Sequence, residues 1–161
     1  MTQASDCCAK FDPTPYEDKT LEWKEKPFIK ESMPTFMHMP YPGKFGKVVG
    51  RMWKKIDAAG VRPENKDFVM LCCDPTPWRS ELFITTTGSV PDAENVTLSG
   101  NFMTRVFDGP FRDIRKWVGE MQNWVASEGK KMDNLYFYYT TCPKCSKKWG
   151  HNYVVGFARV S

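Results

Sequence analysis

Two stretches of the chain carry apolar residues at helical spacing. Phe45, Val48, Val49, Met52, Ile56 and Ala59 share one face, and Phe111, Ile114, Val118, Met121 and Val125 share another. The spacing predicts helices over roughly 44–59 and 110–128. Pro110 suits a first-turn position, and Gly60 and Gly129 suit C-terminal stops. Elsewhere the pattern is extended. "DFVMLCCDPTPWRSELFITTT" reads as a strand, a turn containing proline and a second strand, and "NLYFYYTTCPKCSKKWGHNYVVGFARV" reads the same way. "TLEWKEKPFI" alternates weakly and suits an added edge strand.

These elements recur in one order. "MPYPGKFGKVVGRMWKKIDAAG" (39–60) and "RVFDGPFRDIRKWVGEMQNWVASEG" (105–129) each pass from an extended stretch through an aromatic, a Gly and a Phe at matched offsets into a helix. The reading is a tandem strand–helix–strand–strand repeat: an N-terminal extension over 1–30, a first repeat over 31–90 and a second over 95–161. The segment "GSVPDAENVTLSG" is read as the linker between them. The expected fold is α+β, a pseudo-twofold single domain with one antiparallel sheet, both helices on one face and a cleft between the repeats.

Composition narrows the function classes. The chain has 161 residues, a net charge of +4 and 26% charged residues, with acids interspersed among the bases. No block of Lys and Arg suggests a nucleic-acid footprint, no apolar run suggests a membrane span, and the N-terminus lacks the apolar core of a secretory signal. The expectation is a cytoplasmic protein, a monomer or weak homodimer, whose partner is a small organic molecule and neither nucleic acid nor membrane.

Six cysteines form three close pairs, Cys7–Cys8, Cys72–Cys73 and Cys142–Cys145. Disulfide scaffolding does not suit a cytosolic chain. For "CPKC" three readings stand: a hairpin turn, a metal or structural thiol cluster, and a reactive thiol pair. Structural zinc takes four ligands, so Cys142 and Cys145 would recruit Cys7 or Cys8, with His151 as a fourth. Cys72 and Cys73 lie within a strand, where burial as small apolar groups suits them.

The second helix adds further chemistry. Trp117 and Trp124 lie seven residues apart with Glu120 between them, and a carboxylate flanked by indoles suits a cation. Burial would raise its pKa and make Glu120 an acid or base. The bland alternative is that the tryptophans widen the core while Glu120 pairs with Lys116 in solvent. In "LYFYYTT" Tyr136 and Tyr138 face one side of the strand, and Leu135, Phe137 and Tyr139 the other. Trp53, on the flank of the first helix, is a further candidate wall.

With these residues in place, the plan resembles the GyrI-like effector-binding domains from about residue 28 to the end. "VFDGPFRDIRKWVGEM" and "LYFYYTT…NYVVGFARV" carry the likeness. The whole chain is similar to stand-alone GyrI-like proteins often labelled "hydrolase", through "CC.KFDP", "VTLSG" and "YYTTCPKC…NYVV". The resemblance implies a pocket between the two units, lined by aromatics, in which an acid meets cationic molecules in many relatives. In some enzymatic relatives a carboxylate and aromatic hydroxyls there hydrolyse strained rings. That carboxylate usually opens the last strand, where this chain has His151 and Asn152; Glu81 stands at the comparable place in the first repeat. Three functions follow as expectations. The first is binding of a small, largely apolar or cationic molecule, with Trp53, Trp117, Trp124, Tyr136, Tyr138 and Glu120 as its lining. The second is hydrolysis in which Glu120 or Glu81 activates water and Tyr136 or Tyr138 steadies the leaving group. The third is an interaction module built on the Cys142/Cys145 hairpin.

Overall fold

The computed structural model describes residues 11–37, 39–40, 43–64, 67–140 and 150–161. The fold is α+β, with two α-helices and antiparallel strands. The chain forms two compact units. The first is Lys24–Ser99; the second is Gly100–Ser161 together with the described residues up to Trp23. The N-terminal stretch, read from sequence as an extension, therefore groups with the later half of the chain.

In the first unit, β1 (Lys19–Phe36, entering at Lys24) lies between β2 (Met39–Pro40) and β4 (Arg79–Thr85), and β3 (Met70–Thr76) pairs with β4 on its far side. "TLEWKEKPFI" is thus the opening of a continuous 18-residue strand. The helix α1 (Lys44–Ala59) begins after Gly43 and stops at Gly60, whose φ of 70° is left-handed and favours glycine. It buries Val48, Met52 and Ile56, one residue per turn. Arg51 and Lys55 reach Glu31 from α1, so Glu31 and its strand-alternates Ile29 and Met33 face the helix. Lys30, Cys73, Glu81 and Phe83 take the opposite face.

In the second unit the order is β6 (Met132–Tyr139), β7 (Tyr153–Val160), β5 (Glu94–Asp108, belonging to this unit from Gly100). The strand β5 begins at Glu94, inside the stretch expected to be a linker, because "ENVTLS" resumes strand alternation once the turn at Asp92 is complete. A 3₁₀ turn at Phe111–Asp113 leads into α2 (Ile114–Ser127). The buried face of α2 is Trp117, Met121 and Val125, with Ile114, Val118 and Trp124 packed partly buried around it. Met103, Phe107, Phe137, Val154 and Ala158 lie beneath. Trp117 therefore belongs to the core stripe and stacks on Phe107, with ring centroids 5.4 Å apart. Neither described helix is long and apolar enough to cross a membrane.

Candidate functional site

Strand alternation decides which side chains α2 covers. Phe137, Val154 and Ala158 lie under it. Their neighbours Tyr136, Tyr138, Tyr153, Val155 and Phe157 must point to the other face, as must Phe102, Thr104 and Asp108 on β5. That second face is aromatic. Eight rings make a connected cluster across it: Phe11, Tyr16, Trp23, Phe102, Tyr136, Tyr138, Tyr153 and Phe157.

Three of these rings come from the start of the chain and cover the others. Phe11 stacks on Tyr16 at 5.7 Å and meets Tyr138 edge-on at the same distance. Tyr16 packs on Phe157 at 5.6 Å, and Trp23 lies 4.5 Å from Phe102. The segment is pinned to β5 from both faces. The Thr104 hydroxyl donates to the Tyr16 carbonyl at 3.0 Å, while Arg105 Nε bonds Asp18 at 2.7 Å and its guanidinium lies over Trp124 at 4.2 Å. Inside the cluster Asn134 Nδ2 donates to the Tyr136 hydroxyl at 3.0 Å.

Polar groups close one end of this face. The register sets Asp108 opposite Tyr153. Asp108 Oδ2 lies 2.7 Å from His151 Nδ1, and Oδ1 accepts the Asn152 backbone N–H at 2.9 Å. The Asn152 side chain donates to the Gly109 carbonyl at 2.5 Å, and the Gly109 N–H returns a bond to the Asn152 carbonyl at 3.3 Å. The His151 ring lies nearly parallel to Tyr153, at 4.9 Å and 12°. Sequence reasoning found no acid at 151 or 152; the register brings one there from β5. The signal was present in "NFMTRVFD", whose alternation places Phe102, Thr104 and Asp108 together.

The other expected residues are distributed as follows. Tyr136 and Tyr138 lie on the aromatic face, whereas Trp117, Trp124 and Glu120 belong to α2 on the far side of β6. Trp117 is in the core, Trp124 carries Arg105, and Glu120 is exposed. Within this unit no single surface joins Glu120 to the two tyrosines. In the first unit Trp53 packs on Phe68 at 5.3 Å beneath the Arg62 guanidinium, which is 4.1 Å from its ring. Cys7, Cys142 and Cys145 lie outside the described residues. Among the described residues no group of three or more metal-binding side chains comes together.

Glu81 is the acid of the cluster on the face of the first unit's strands opposite α1. Its side chain is only 14% exposed and bonds Lys30 Nζ at 3.0 Å, with Arg79 at 3.5 Å and the Cys73 thiol at 3.8 Å. The bond to Glu81 raises the Lys30 pKa. Burial, and then the charge of Glu81, push the Cys73 thiol up to about 12, which leaves it protonated and unreactive at neutral pH. Cys72, fully buried, is raised further by burial.

The model of a family described as "Bacterial hydrolase" matches residues 1–160. No curated protein matches the chain. Among solved structures it is similar to the EcmrR C-terminal domain, with 12% identity, a TM-score of 0.69, and coverage of 91% of this chain and 98% of that one. A hydrolase from Listeria innocua shares 14% identity, with a TM-score of 0.65 and coverage of 91% and 92%. SAV2435 bound to tetraphenylphosphonium shares 10%, with a TM-score of 0.51 and coverage of 89% and 93%. At these identities the likeness concerns the fold.

Proposed function

The chain belongs to the bacterial hydrolase family and has the GyrI-like fold, and from there we propose that it binds a small, largely apolar or cationic organic molecule on the aromatic face of its second unit. The carrying observation is the eight-ring cluster. A sheet face that merely needed covering would be served by aliphatic side chains. Here tyrosines supply rigid apolar area with polar edges, and ring faces attract cations. Asp108 adds a carboxylate at the end of the same face, where a ligand's positive charge would be neutralised. SAV2435, of similar fold, is described as bound to tetraphenylphosphonium, a cation wrapped in aromatic rings. Entry of a ligand requires the Phe11–Tyr16 pair to lift from Tyr138.

Trp23 lies inside the cluster and reports its occupancy. Titration with tetraphenylphosphonium is expected to quench tryptophan fluorescence saturably in the wild type. Tyr138→Ala should weaken the binding by about tenfold, the value of one aromatic contact of roughly 1.4 kcal/mol. Equal affinity in Tyr138→Ala and in Tyr136→Ala would remove the reading.

A second reading, hydrolysis, is favoured by the family description and by the hydrolase among the similar structures. For the carboxylates expected from sequence it makes one demand: Glu81 would have to release Lys30 before it could activate water, and a Glu81→Gln variant tests that role.

A further inference from the structure

We propose that His151 and Asp108 form a general-base dyad that hydrolyses esters of phenols held on the aromatic face; the proposal rests on the binding reading above. Asp108 engages both oxygens, one toward His151 Nδ1 at 2.7 Å and one toward the Asn152 N–H at 2.9 Å. A carboxylate fixed in this way draws the ring proton to Nδ1 and leaves the Nε2 lone pair outward. Among the described residues no partner occupies Nε2. The ring cannot turn freely, because it is stacked on Tyr153 at 4.9 Å and 12°. The His151 side chain is 52% exposed, so water reaches it.

The rings determine the substrate class. From His151 the row runs to Tyr153, then to Phe11 at 6.0 Å, then to Tyr138. An aryl group laid against the half-exposed Tyr153 and the exposed His151 would bring the acyl carbon, bonded to its aryl oxygen, toward Nε2. Beyond the proton that His151 returns, the leaving group departs with little help, because the Asn152 amide and backbone N–H groups are engaged on Gly109 and Asp108. Phenolates meet that condition; alkoxides and amines do not. In the step, Nε2 takes a proton from water as the water oxygen bonds to the acyl carbon. Collapse of the adduct breaks the bond between acyl carbon and aryl oxygen, and the imidazolium returns the proton to the departing phenolate. The products are a carboxylic acid and a phenol, and water is the only co-reactant. His151 is the catalytic residue and Asp108 the positioning residue.

The test is hydrolysis of p-nitrophenyl acetate by the full chain. The chain has two histidines, so the comparison is clean. A positioned base contributes about 100-fold or more, so His151→Ala should lose that factor in kcat while His38→Ala keeps the wild-type rate. His151→Asn can still donate a side-chain N–H to Asp108 and guards against loss of fold; it should be as inactive as His151→Ala. Added imidazole should restore turnover to His151→Ala but not to Asp108→Asn, whose own kcat falls at unchanged KM. Wild-type turnover in His151→Asn, an equal loss in His38→Ala, or no imidazole rescue would overturn the dyad. Quenching without turnover in the wild type overturns the dyad and leaves the binding reading intact. Turnover dependent on His151 without quenching keeps the dyad and removes the binding reading.

Discussion

At Gly156 a missing side chain determines how close α2 can lie to β7. A methyl group there would stand 3.0 Å from Met121 Sδ and 3.2 Å from its Cε and Cγ. Met121 is itself fully buried and has no solvent to swing into. Gly156→Ala is expected to cost about 1–3 kcal/mol through overpacking, read as a lower urea midpoint at unchanged slope. A second residue ties stability to pH. The Cys73 thiol ionises near 9.0 in the unfolded chain and near 12 in the folded one. Below 9 both states hold the proton and its share of stability is complete; as pH rises through that window the unfolded state gains and stability falls. Urea midpoints across the window should fall less steeply in Cys73→Ser, and an identical fall would assign the effect to other groups. At this scale the sequence was partly legible. Alternation alone separates Tyr136 and Tyr138 from Phe137. It could not tell that Trp117, at the margin of an apolar stripe, turns inward, because an indole fits either side of such a margin and the choice falls to Phe107 beneath it.

At the scale of elements, the first described residues matter more than their composition suggests. Residues 11–18 contain little apolar periodicity, and nothing local marks them as ordered. Their order comes from partners some 85 residues away, Thr104 and Arg105. Phe11→Ala should therefore uncover Tyr138, raising the affinity for an apolar dye several-fold while lowering stability by about 1 kcal/mol, the value of an aromatic pair. Dye titration and urea melts on the same variant measure both; weaker dye binding would make Phe11 part of the site instead of its cover. The helices were legible because a 3.6-residue period survives any tertiary context. The opening of β5 was not, since turn residues at 88–92 masked the alternation that restarts beyond them. There Asn95, whose side chain bonds both the N–H and the carbonyl of Val90, marks the end of the turn.

For the whole molecule, the helix–strand–strand order within each unit followed from pattern. The sequence reading divided the chain at residues 31, 90 and 95. The two compact units divide the chain at Trp23/Lys24 and Ser99/Gly100, inside β1 and β5, where the strands run on without a break in composition. A strand that crosses a boundary carries no punctuation, so local signals could not have found it. The first unit is accordingly an insertion within the second, and its two ends are tied: the Glu25 N–H donates to Ser99 Oγ at 2.8 Å. A chain that leaves and returns through one doorway can be cut there with little to bridge. Residues 24–99 form a cassette that a short join would close into a ring, and new termini could then be opened at the Pro77–Trp78 turn.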